Sequence, residues 1–153
     1  MITDEEKRLL NLAAIEVFGT MYFTPVELLP NLPAQDNWHL EAQYVKTEIG
    51  FDGPQRARLC FYFPRSLAVT IACGFLGMGP ECEVEETKIL DTMREAANMM
   101  VGNLLGRLDP EGACVLGIPN AELVDDFSPA SLAGGDVLAL ISDFGFIWAL
   151  FGR

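Results

Sequence analysis

The segment from about Glu83 to Leu108 constrains the fold most, because it reads as one long helix with two unlike faces. With Glu95 set at zero and about 100° per residue, Leu90, Met93, Ala97, Met100, Leu104 and Leu108 gather within roughly 40° of the far side. Such a line has to be buried. Asp91, Glu95, Asn98 and Gly102 fall opposite it in a stripe about 60° wide, stacked on successive turns. Asn is a mediocre helix former, and a Gly inside a helix costs about 1 kcal/mol relative to Ala. The exposed line therefore loses bulk after Asn98, which would let another surface approach closely. On periodicity alone, a solvated face with an incidental Asn and Gly explains the same pattern.

The rest of the chain surrounds this helix with strands. Asp4 to about Tyr22 is helical in pattern, with Leu9, Leu10, Ala13, Ile15, Val17 and Met21 recurring, Thr3 as N-cap and Glu6 completing a capping box. Pro25, Pro30 and Pro33 break the chain into a loop. Trp38 to Phe51 alternates as a half-buried strand, Asp52-Gly53-Pro54 reads as a turn, and Ala57 to Phe63 as the second arm of a hairpin. Pro64 ends that arm, Ser66 can cap a short apolar helix to about Gly77, and Gly77, Gly79 and Pro80 stop it. After the long helix, closed by Asp109-Pro110, the segments Cys114 to Val124, Asp136 to Ser142 and Phe144 to Phe151 are β-like. The last two form a tight hairpin around Ser142-Asp143. The order α-β-β-α-α-β-β-β implies an α+β fold with a largely antiparallel sheet.

Composition narrows the partners. At 153 residues the chain is most simply a single domain, and 50% hydrophobic against 21% charged residues argues against disorder. A formal net charge of −12 excludes nucleic acid and anionic membrane as partners, since both need a basic surface. It suits a protein with a basic or metal-bearing site. No signal peptide or membrane span is visible, so the expected location is cytoplasmic.

Other chemistry finds no support. Four cysteines (60, 73, 82 and 114) without a C-x-x-C pair, and a single histidine, His39, lack metal-ligand spacing. Cys60 and Cys114 read as buried thiols, and His39 as the start of a strand. Asp143-Phe144-Gly145 spells the magnesium triplet of kinases, but with no H-R-D segment it is a turn between strands. Gly112 to Gly117 lacks the lysine of a phosphate loop. A metal-dependent hydrolase on Asp91 and Glu95 would have only two carboxylates and no nearby histidine.

The run from Pro64 to Leu108 resembles the CheC/CheX family of chemotaxis phosphatases, in its single-site CheX-like form. The resemblance rests on Pro64, Leu76-Gly77, an acidic linker from Glu81 to Glu86, and the helix bearing Asp91, Glu95 and Asn98 with Gly102-Asn103 after them. Pro119 downstream and Val17-Phe18-Gly19-Thr20-Met21 near the start extend it. It implies a CheC-like fold and a phosphatase acting on the aspartyl phosphate of a CheY-like receiver domain. Glu95 would pair with the receiver's active-site lysine and Asn98 would orient the attacking water. Asp91 and Gly102 would contribute to the partner contact. The protein would need no cofactor of its own, because Mg²⁺ comes with the receiver.

Two-site relatives carry a second motif on the first helix. Here Glu16 is followed by Gly19 where the second Asn would stand, which implies one site per chain. Similar proteins often pair through their sheets. Phe144, Phe146 and Trp148 alternate on one face, so a homodimer through that face or a neighbouring strand edge is expected. The alternative function is a non-catalytic receiver-binding or flagellar-switch-like module, which would have no evident need for the Asn98 amide.

Overall fold

The computed structural model describes residues 1–77 and 83–153. Helix α1, Asp4–Met21, starts at the expected capping box. The Glu6 N–H donates to Thr3 Oγ1 at 3.0 Å, and the Thr3 N–H donates to Glu6 Oε1 at 2.9 Å. Leu9, Leu10, Ala13 and Val17 are buried with Ala14 and Phe18, whereas Ile15 and Met21 stay exposed.

The proline-rich stretch that follows is not all loop. Val26–Leu28 forms a short strand, β1, and the Leu28 N–H donates to Asn11 Oδ1 of α1 at 2.8 Å. Strand β2 is Gln43–Asp52, starting later than Trp38. The reason is local: Gln35–Asn37 forms a 3-10 turn, and His39 adopts φ +47°, which no strand tolerates. Trp38 instead donates its indole N–H to the Pro33 carbonyl and sets its ring edge-on to Trp148, 5.4 Å between centroids.

Strand β3, Ala57–Pro64, pairs antiparallel with β2 from Tyr44↔Pro64 to Phe51↔Ala57, as the hairpin reading expects. Helix α2 is Arg65–Phe75. Ser66 is not its cap: Pro64 occupies that position, and Ser66 gives its N–H (3.0 Å) and hydroxyl to the carboxylate of Glu41. Gly77, at φ +69°, follows the helix, while Gly79, Pro80 and the Glu81-Cys82 part of the acidic linker lie outside the described residues. Helix α3 is Glu86–Leu108 and begins later than Glu83 because Glu85 is extended.

The segment Cys114 to Val124 is two strands rather than one, β4 (Val115–Leu116) and β5 (Asn120–Asp125). Both pair with β2, and between them the Gly117 N–H donates to the Gly50 carbonyl at 2.7 Å. A side chain at Gly117 would meet that carbonyl oxygen at 3.0 Å, so the approach needs glycine. Pro119 has no N–H with which to continue the ladder. Strands β6, Asp136–Ser142, and β7, Gly145–Gly152, close a hairpin with Asp143 and Phe144 in the turn.

All pairings in the sheet are antiparallel, in the order β1-β6-β7-β3-β2-β4, with β5 also on β2. This is the expected α+β arrangement with β1 and the β4/β5 split added. Residues alternate between two cores. Val45, Ile49, Leu59, Phe61, Phe63, Ile147, Ala149 and Phe151 face the three helices. Tyr44, Cys60, Tyr62 and Trp148 face the other way, beneath Trp38, Phe127 and Leu132 from the loops. Around Trp148 that far face is covered by the chain itself, leaving Trp148 0% exposed, whereas Arg58 further along it stays open. Among the described residues, no helix is long and apolar enough to cross a membrane.

Candidate active site

Three supports fix α3. Its buried residues are Ile89, Met93, Ala96, Ala97, Met100, Val101, Leu104 and Leu105. Leu90 and Leu108, expected in the core, are half-buried at its margin. The buried arc is wider than a single apolar line because α1, α2 and the sheet all pack on this helix.

The opposite face carries the expected stripe. Asp91 and Glu95 are exposed, and Asn98 and Gly102 are half-buried. Glu95 and Asn98, three residues apart, sit on adjacent turns with side chains roughly 5–6 Å apart at Cβ. Neither carboxylate nor amide has a hydrogen-bond or ion-pair partner among the described residues. Asp91 differs: its carboxylate takes a 2.5 Å bond from Arg94 one turn on. Gly102 is not open to solvent on every side, since a Cβ there would lie 3.6 Å from Leu116 Cδ2 of β4. The low-bulk line thus ends against Leu116.

Beside this stripe runs α1, antiparallel to α3. The Glu16 carboxylate accepts from Asn103 Nδ2 at 3.0 Å and Arg107 Nη2 at 2.6 Å, and Arg107 Nε donates to Asn103 Oδ1 at 2.8 Å. Asn103 and Arg107 hold the Glu16 carboxyl below the usual carboxylate range. Glu16 is thereby a clamp between helices. Gly19, exposed one turn later, has nothing within 4 Å of where a Cβ would be.

Sequence spacing gave no hint of Tyr22. It ends α1, with its ring 5.5 Å from Phe18 and edge-on to Phe75 of α2 at 5.1 Å. Its hydroxyl is buried and has no hydrogen-bond partner among the described residues. Burial, with the negative charge of Glu95 adding to it, pushes the phenol up to about 12. No sequence period links positions so far apart; only helix packing brings them together.

A groove of about 640 Å³ lined by Glu48, Asp52, Arg56, Arg58 and Ile118, among others, contains none of Asp91, Glu95, Asn98 or Gly102. The stripe is a convex helix face. Such a shape suits chemistry on a macromolecular surface better than capture of a small molecule.

Comparison with known proteins agrees with this geometry. The sequence pattern of the family described as chemotaxis phosphatase CheX matches residues 45–131, more than half of the chain and inclusive of α3. No curated protein matches the chain in sequence. Among solved structures, a CheC-like superfamily protein from Shewanella sp. PV-4 superposes with a TM-score of 0.73 at 21% identity, covering 99% of this chain and 100% of that one. The chemotaxis protein CheX of Vibrio vulnificus gives 0.70 at 22% identity, covering 96% of each. The CheX of Borrelia burgdorferi, in a complex with CheY, BeF₃ and Mg²⁺, gives 0.68 at 15% identity over 95% of this chain and 97% of that one. At these identities the superpositions speak for the fold, and the sequence pattern speaks for the family: the chain belongs to the CheX family of chemotaxis phosphatases.

Proposed function

We propose that this protein hydrolyses the aspartyl phosphate of a CheY-like receiver domain, using Asn98 to orient water and Glu95 to dock. The observation that carries this reading is the pair itself. Glu95 and Asn98 stand side by side on a braced helix, and neither polar end is taken by the described chain. Neighbouring polar groups on the same helices, Asp91 and Glu16, are already paired.

An aspartyl phosphate is an activated acyl phosphate. Hydrolysis needs water in line with the P–O bond to the aspartyl group. As the O–P bond forms, that P–O bond breaks, releasing inorganic phosphate and restoring the carboxylate. Most of the catalysis is positioning and charge stabilisation, so a neutral amide suffices. The Asn98 side chain can accept from and donate to one water without acting as a charged base. Glu95, one turn before it, would take a charge-assisted bond from the receiver's lysine and fix the docking register. Asp91, with Arg94, would border the contact, and Gly102 would keep the helix low beyond Asn98. Mg²⁺ would arrive with the receiver, as the composition of the Borrelia complex suggests.

Phosphate release from a panel of acetyl-phosphate-treated receivers tests this reading. The expected result is faster release from at least one receiver when the protein is added in catalytic amount. Tight binding of a phosphorylated receiver with no faster release would instead make the protein an adaptor.

A further inference from the structure

The buried, unbonded hydroxyl of Tyr22 calls for a reason. Leaving such a group unsatisfied costs about 1–3 kcal/mol, and a phenylalanine would keep both ring contacts without that cost. The ring itself is fixed between Phe18 and Phe75.

Its place in the fold points to Glu95. On the antiparallel pair α1 and α3, Glu16 is bonded to Asn103. Tyr22 lies six residues further along α1, and Glu95 eight residues back along α3, rises of about 9 and 12 Å. The two positions come level at the junction of the three helices. The charge of Glu95 acts on the phenol there, and the phenol stays protonated far above neutral pH, hence always a donor.

We propose that Tyr22 is a positioning residue for Glu95: its hydroxyl donates to one carboxylate oxygen when the partner docks, leaving the other oxygen for the partner's cation. This inference rests on the docking role proposed for Glu95. A glutamate on an exposed helix samples several rotamers, and ordering it costs free energy. A donor fixed by two aromatic neighbours removes part of that cost. Docking excludes water from the bond and strengthens it.

Tyr22→Phe removes only the oxygen. With a receiver that the wild-type protein dephosphorylates, Tyr22→Phe raises KM about ten- to a hundredfold, the range one hydrogen bond to a charged group carries, with kcat within twofold. The melting temperature does not fall, because no bond of the free protein is lost. In a Glu95→Ala background the same change has no further effect on KM. The inference is overturned if Tyr22→Phe leaves KM unchanged, or raises it equally in the Glu95→Ala background. A lowered melting temperature with kcat and KM both disturbed would also overturn it, by showing a structural role. Asn98→Ala run in parallel separates the two levels. Loss of kcat there with no effect of Tyr22→Phe sinks only the Tyr22 inference; full activity of Asn98→Ala, or no receiver dephosphorylated at all, sinks the docking role and the inference with it.

Discussion

Glu6 does three things at once. It completes the capping box of α1, it is buried, and its carboxylate meets the guanidinium of Arg153, tying the start of the chain to its end. Burial alone would raise its pKa, but the Thr3 bonds and Arg153 together outweigh that and hold it below 4.5. The stability it contributes is therefore complete above pH 4.5 and is lost as pH falls through the folded value. Glu6→Ala is expected to cost about 1–2 kcal/mol in denaturant unfolding at neutral pH, with a smaller difference below pH 4. At the alkaline end the sign reverses. Burial first, and then the charge of Glu48, push the Cys60 thiol up from 9.0 to about 11. Its contribution is complete below pH 9 and is lost as pH rises through 11, and the Tyr22 phenol follows from 10 to about 12. Unfolding free energy should hold steady up to pH 9 and decline above it. Cys60→Ala should remove the first part of that decline.

Among the elements, α3 shows how a helix can be both buried and bare. The centre of its apolar arc was readable from periodicity, and so was the polar stripe opposite, whereas Ile89, Ala96, Val101 and Leu105 widen the arc through packing. What periodicity could not show is which polar groups are spent. Asp91 is taken by Arg94 three residues on in the same helix, and Glu16 by Asn103 and Arg107 through the packing of α1 on α3. Gly102 was legible as low bulk, but not as the place where Leu116 crosses the helix. A methyl group there would stand in ordinary contact with Leu116, so Gly102→Ala is expected to stabilise the protein by about 0.5–1 kcal/mol in thermal melts. The strands divide in the same way. The β2–β3 hairpin and the β6–β7 turn follow from alternation and local turn residues. Strand β1 and the break between β4 and β5 do not, because Val26–Leu28 owes its form to β6 and Gly117 owes its placement to Gly50. Trp38 departs from its strand reading because Trp148, more than a hundred residues away, offers it a packing partner.

At the scale of the whole molecule, the sheet separates two cores, and the helices carry the stripe away from both. Burial beneath Trp38, Phe127 and Leu132 removes Trp148 as a surface for self-association. A homodimer, still our expectation, would then form through a strand edge, where β5 is longer than β1. Sedimentation equilibrium should report twice the chain mass; a single-chain mass at tens of micromolar would remove the dimer from the account. The central claim does not depend on it. It depends on one amide beside one carboxylate, placed to enter another protein's active site. The most direct measurement is phosphate release from a phosphorylated cognate receiver by Asn98→Ala, with binding of the same receiver measured alongside. The account predicts that stimulated release falls at least a hundredfold, about 2.7 kcal/mol in transition-state stabilisation, while binding stays within a fewfold of wild type. Release at the wild-type rate by Asn98→Ala would contradict it.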